Sequence, residues 1–227
     1  MTDKPFALVI FDCDGVLVDS EVITKRVFAS MLNELGVAIT ADETFEKFVG
    51  RSMSQCLEII TGLLGRAVPE YFVPQYQLRI AEALNSDLKV VPGIVEALDA
   101  IQTPYCVASN ASHEKMQITL GVTGLLSKFK DKMFSVAEVA RGKPFPDIFL
   151  YAASRFGVDP SNCVVIEDTP TGVAAGVAAG MTVWGYSAQM PARRLLDAGA
   201  DGTFDRMSAL PGLISNRRGG EVCSKQY

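Results

Sequence analysis

Five short, largely apolar runs constrain this chain more than any other feature: Ala7–Phe11 (ALVIF), Tyr105–Ala108, Met133–Val136, Cys163–Ile166 and Met181–Trp184. A strand buried on both faces of a parallel sheet has no solvated side, so it reads as a continuous apolar run rather than as an alternation. Between the later runs lie segments with helix punctuation. Pro146–Phe156 opens with a proline in its first turn, and Pro170–Ala179 is closed by Gly180. Strand and helix in repetition predict a doubly wound α/β sheet, whose ligands gather at the carboxyl ends of the strands.

Ser20 to Leu88 breaks this rhythm, because helix signals follow one another there without a buried strand. Thr40 with Glu43, and Ser52 with Gln55, match the capping box, in which a hydroxyl and a carboxylate or amide satisfy free amides at a helix start. Val27, Met31 and Leu35 share one helical face, and Gly36 stands where that helix would end. The small residues of Gly172–Gly180 (GVAAGVAAG) are read as letting a helix approach the sheet closely. The expected organisation is a Rossmann-like α/β core of residues 1–19 and 89–214, an inserted α-helical domain at 20–88 and a poorly ordered tail at 215–227.

A formal net charge of −5, with paired arginines only at Arg193-Arg194 and Arg217-Arg218, argues against nucleic acid or an acidic membrane surface as partner. Both demand a clustered basic face. Nowhere do about 18 apolar residues run together, and no leader pattern precedes Phe6. Cys13, Cys56, Cys106, Cys163 and Cys223 are scattered and odd in number, which fits a reducing compartment. A cytoplasmic monomer or homodimer acting on a small molecule is expected.

The chemistry begins directly after the first run, at Asp12-Cys13-Asp14-Gly15. Two carboxylates one residue apart at a strand end can share a cation while facing one ligand, and Gly15 permits a sharp backbone exit. Cys13 between them is read as packing. Three other strand ends carry Ser109-Asn110, Lys143 within Gly142-Lys143-Pro144-Phe145-Pro146-Asp147, and Glu167-Asp168. A phosphoryl group in transit needs hydroxyl and amide donors, a cation, and a metal held by carboxylates. Each segment also has a local explanation: a turn, a solvated loop charge, acids at a helix start. All four at strand ends favour the chemical reading.

With these segments in this order, the sequence resembles the haloacid dehalogenase superfamily, in the β-phosphoglucomutase-like branch with a helical cap after the first motif. DCDGVLVDS, VASN, GKPFPD and VVIEDTPTGVAAGVAAGM match its four motifs, and the likeness runs from Phe6 to about Leu210. The resemblance implies that Asp12 attacks phosphorus and becomes an aspartyl phosphate, and that Asp14 protonates the leaving oxygen and then activates water. It implies Mg2+ on Asp12, on the backbone carbonyl of Asp14 and on Asp168, with Glu167 beside it or acting through water. Ser109, Asn110 and Lys143 would hold the phosphoryl oxygens. Gly50 and Arg51 would face the site from the cap, where Arg51 could pair with a substrate carboxylate. DSEVI at Asp19–Ile23, the stretch Phe45–Gly50 and PGIVEALDAI at Pro92–Ile101 point within the family to a phosphorylated sugar or sugar acid.

Asp14 argues against halide displacement, since the enzymes of the family that do this lack the acid-base aspartate. A β-phosphoglucomutase-like sugar-phosphate mutase is the nearer alternative, but that class carries a histidine early in the first cap helix where this chain has Thr24. His113, the only histidine, is expected in the loop after Ser109-Asn110, where it could approach phosphate or stand in solvent. A receiver-like signalling module shares the aspartate, hydroxyl and lysine, but places its phospho-accepting aspartate two strands after its metal-binding acids. The cap is expected to move on linkers near Val18–Ser20 and Asp87–Val91.

Overall fold

A computed structural model describes residues 5–48 and 53–215. Gly50, Arg51, the Ser52 half of the second expected capping box and the tail beyond Ser215 lie outside these residues. The chain divides into two compact units, Met1–Asp19 with Lys89–Tyr227, and Ser20–Leu88.

The larger unit is built on β1 (Leu8–Phe11). Ser20–Leu88 then supplies α1 (Ser20–Glu34), α2 (Ala41–Phe48), α3 (Met53–Leu64) and α4 (Phe72–Asp87). The larger unit resumes with α5 (Ile94–Ala100), β2 (Tyr105–Ser109), α6 (His113–Val122), α7 (Leu126–Phe129), β3 (Met133–Ser135), α8 (Asp147–Phe156), β4 (Cys163–Glu167), α9 (Pro170–Ala178), β5 (Thr182–Tyr186), α10 (Ala192–Asp197), β6 (Gly202–Phe204) and α11 (Leu210–Ser215). The strands form one six-stranded sheet in the order β3-β2-β1-β4-β5-β6, and every neighbouring pair is parallel.

Every residue of β1 and β4 is buried, which is why Leu8–Phe11 and Cys163–Ile166 read as unbroken apolar runs, with buried Glu167 closing β4. The chain winds outward from β1 through β2 and β3, then returns to lay β4 on the other side of β1. That reversal opens a crevice between the carboxyl ends of β1 and β4. Phe11 pairs with Ile166, so the next residues, Asp12 and Glu167, stand side by side at the carboxyl end of the sheet. The Asp12 N–H donates to the Ile166 carbonyl at 2.9 Å and fixes this register. Beneath it Phe11, Tyr105 and Phe129 stack edge to face.

Helix α9 confirms the reading of its small residues. A Cβ on Gly176 would lie 2.7 Å from Val183 Cγ2, closer than packed atoms tolerate. The helical unit has its own core, with Phe28 stacked edge to face on Phe48, Phe72 and Tyr76. The Thr40–Glu43 capping box forms: the Thr40 N–H donates to the Glu43 carboxylate at 2.8 Å and the Glu43 N–H donates to Thr40 Oγ1 at 3.2 Å. α1 stops at Glu34, leaving Leu35 half-buried beyond it. Gly36 at φ +98° turns the chain, and Val37 N–H donates back to the Leu32 carbonyl at 2.9 Å, a Schellman closure with both side chains buried. Among the described residues no helix is long and apolar enough to cross a membrane.

Candidate active site

Lys143 sits at the centre of the crevice, with its side chain 4% exposed. Its ammonium donates to Asp12 Oδ1, to Glu167 Oε1 at 2.7 Å and to the Ala108 carbonyl at 2.9 Å. Three strands, β1, β2 and β4, therefore converge on one cation. The Phe149 ring lies 4.7 Å away and walls the ammonium from water. Burial disfavours the Lys143 charge, but the Asp12 and Glu167 carboxylates outweigh it and hold the ammonium above the usual lysine range. Burial pushes the Asp12 carboxyl up to about 7, with Lys143 opposing the shift and Glu167 adding to it.

Asp12, Glu167 and Asp168 are all buried, and a carboxylate oxygen of each lies within 4.8 Å of the others. Three buried carboxyl groups gather beside a single ammonium, and their hard oxygens suit a hard divalent cation. Gly15 keeps the space open: its φ is +79°, and a Cβ there would stand 1.9 Å from Asp168 Oδ2. The roles of the acids differ. Glu167 commits Oε1 to Lys143 and Oε2 to the N–H groups of Asp168 and Thr169 and to the Thr169 hydroxyl, each at 3.0 Å. A Cβ on Gly172 would collide with this carboxylate at 1.7 Å. Glu167 is thus fixed as the anchor of Lys143 and of the loop after β4.

Ser109 ends β2, and its buried hydroxyl oxygen accepts from the Ala111 N–H at 3.1 Å, which leaves the hydroxyl proton for a ligand. Asn110 lies beside it, but its amide faces another chain segment. Asn110 Oδ1 accepts from the Lys143 N–H at 2.9 Å, and Nδ2 donates to the Lys143 carbonyl at 3.2 Å. That side chain clamps the Lys143 backbone from both sides. His113 is the first residue of α6 rather than a loop residue. Its Nε2 pairs with Glu138 Oε2 at 2.9 Å, and Glu138 also accepts from the Ser135 N–H at 2.8 Å. Cys13 is buried against Thr119, and burial, then its two acidic neighbours, push its thiol up. That is the environment of a packing residue.

Lys115 carries no motif that marks it in the sequence. Its ammonium donates to Asp14 Oδ2 at 2.7 Å. Burial opposes the Lys115 charge, yet Asp14 holds it above the usual lysine range. A lysine on a helix reads as a solvated side chain, and only the juxtaposition of α6 with the β1 exit loop reveals its partner.

Residues 6–180 match the family profile of haloacid dehalogenase-like hydrolases. The chain is 34% identical over 213 residues to the 6-phosphogluconate phosphatase of Escherichia coli (strain K12), across 92% of this chain and 95% of that protein. A solved haloacid dehalogenase-like protein from Agrobacterium tumefaciens str. C58 superposes with a TM-score of 0.87 at 36% identity, covering 92% of this chain and 98% of its own. A HAD family hydrolase from Deinococcus radiodurans R1, solved with bound phosphate and sodium, superposes with a TM-score of 0.83 at 32% identity, covering 93% and 98%.

Proposed function

The chain belongs to the haloacid dehalogenase-like hydrolases and is a phosphatase, and from that premise we propose that it hydrolyses a small phosphorylated sugar or sugar acid with the help of Mg2+. The observation that carries this reading is the Lys143 ammonium shared between Asp12 and Glu167, beside Asp168, in a buried crevice where strand order reverses.

Asp12 and Asp168 would hold the ion through side chains and Asp14 through its backbone carbonyl, with Glu167 behind them. When bound, Mg2+ supplies charge neutralisation and polarises the phosphoryl oxygens. A carboxylate attacks a phosphate anion slowly because the two repel. Lys143 lowers that barrier and, with the Ser109 hydroxyl, holds the phosphoryl oxygens in line with Asp12. Asp12 forms a bond to phosphorus as the bond to the leaving oxygen breaks, and Asp14 gives that oxygen a proton. Asp14, now a carboxylate, takes a proton from water as the water attacks phosphorus, which releases inorganic phosphate and restores Asp12.

The substrate class draws support from the E. coli relative, named for 6-phosphogluconate, and the phosphate site from the D. radiodurans structure with bound phosphate. A mutase assignment would call for a histidine at position 24, where Thr24 instead donates its hydroxyl to the Ser20 carbonyl of its own helix at 2.9 Å. Phosphate release from a panel of phosphorylated metabolites tests the reading. The highest kcat/KM is expected for a sugar phosphate or for a sugar acid such as 6-phosphogluconate, with activity lost on chelation and restored by Mg2+. Undiminished turnover in chelator would remove the metal from the account, and equal kcat/KM across unrelated phosphates would remove the substrate class.

A further inference from the structure

Helix α6 touches the β1 exit loop at two points. One turn of it places Lys115 Nζ 2.7 Å from Asp14 Oδ2, and the next sets Thr119 Oγ1 3.9 Å from Cys13 Sγ, between the two acids. Ser112 caps the helix by accepting from the Lys115 N–H at 3.2 Å, which fixes where the lysine departs. A lysine in the first turn of a ten-residue helix is electrostatically misplaced, since that end carries partial positive charge and favours acids. The position is tolerated where the ammonium reaches a carboxylate, and here that carboxylate is Asp14, held on a tight turn by Gly15 N–H to Val18 carbonyl at 2.8 Å.

We propose that Lys115 is a positioning residue for Asp14: it fixes the plane of that carboxyl so that proton delivery to the leaving oxygen needs no search of rotamers. This rests on the reading of Asp14 as acid and base given above. An unoriented acid is a poor general acid because the proton must travel along a narrow line, and misplacement by about 1 Å can cost on the order of a hundredfold. The effect should therefore grow with the basicity of the leaving group. A nitrophenolate leaves unaided, whereas an alkoxide needs the proton.

The test compares kcat/KM for glycerol phosphate and para-nitrophenyl phosphate in wild type, Lys115→Met, Lys115→Arg and Asp14→Asn. Lys115→Met is expected to lose about tenfold or more on glycerol phosphate and less than about threefold on para-nitrophenyl phosphate, with Lys115→Arg recovering most of the loss. In an Asp14→Asn background the Lys115→Met change should have no further effect on that ratio. Equal losses on both substrates would make Lys115 a phosphate-binding or merely structural residue and overturn the inference, as would no loss on either. Should Asp14→Asn itself keep full activity on glycerol phosphate, the acid-base assignment of Asp14 fails first. If Asp14→Asn is crippled and Lys115→Met is not, only the present inference falls. Lys115 is partly exposed, and Lys115→Gln gives a second charge-removing variant whose leaving-group ratio must move the same way.

Discussion

Removing Lys143 and removing Asp12 are expected to move stability in opposite directions, because one ammonium is shared by two buried carboxylates. Lys143→Met strands Asp12 and Glu167 without their cation and should cost about 3–5 kcal/mol in metal-free protein. Asp12→Asn leaves Lys143 paired with Glu167 and relieves a carboxyl that burial already disfavours, so its Tm without metal should equal or exceed wild type while turnover falls at least about a thousandfold. Thermal melts and phosphate release check both; a Tm for Asp12→Asn well below wild type would contradict the shared-cation description. Gly15→Ala and Gly36→Ala form a matched pair. Both replace a glycine at positive φ, but a Cβ on Gly15 strikes Asp168 and one on Gly36 meets nothing within 4 Å. The first displaces Asp168, the proposed Mg2+ ligand, and should raise the Mg2+ concentration for half-maximal activity at least about tenfold. The second should lose only about 1 kcal/mol of stability and keep its Mg2+ response. Equal Mg2+ responses would show that Gly15 is conserving backbone shape alone. The grouping of Asp12, Lys143, Glu167 and Asp168 is legible in the sequence because each follows an apolar run or sits in a punctuated loop. Lys115 is not, since its partner is 101 positions away, and neither is the task of the Asn110 amide, which depends on a loop 33 positions on.

Thr169 joins α9 to the site. Its hydroxyl oxygen accepts from the Gly172 N–H at 3.1 Å as an N-cap and its proton goes to Glu167 Oε2 at 3.0 Å. Thr169→Val keeps the shape and loses both bonds, so it should cost about 1 kcal/mol, or ~2–4 °C in Tm, and also reduce kcat through a loosened Glu167–Lys143 pair. Thr169→Ser should restore both; a loss of stability with unchanged kcat would limit Thr169 to capping. The same element shows what a sequence discloses about a fold. α9 was legible from Pro170 at its start, Gly180 beyond its end and small residues on the face toward the sheet. β5 extends past the expected end at Trp184 to Tyr186, because Gly185 continues the strand and admits Leu195, whose atoms would stand 3.0 Å from a Cβ there. β6 gives no sequence signal because it is three residues long and begins with Gly202, a position the Trp184 ring covers at 2.2 Å from a would-be Cβ. Edge strands of that length carry too little apolar pattern to stand out.

The two linkers of the inserted helical unit run side by side in the larger unit: Val18 bridges Val90, and the Asp19 N–H donates to the Lys89 carbonyl at 2.9 Å. Insertion at such a closed point leaves the sheet order undisturbed, which is why the α/β rhythm resumes at β2 as if uninterrupted. Replacing Ser20–Leu88 by a short Gly-Ser turn should therefore leave a folded larger unit that still hydrolyses para-nitrophenyl phosphate and no longer discriminates among sugar phosphates. Retained discrimination would place specificity outside the helical unit. The proposed role of Asp12 as acceptor of the phosphoryl group is tested most directly by trapping the aspartyl phosphate. Enzyme turning over excess substrate with Mg2+ is quenched in acid, reduced with borohydride and mapped by peptide mass spectrometry. The reductive tag is expected on Asp12 alone and absent from Asp12→Asn; a tag on Asp14, Glu167 or Asp168, or none during active turnover, would contradict the account.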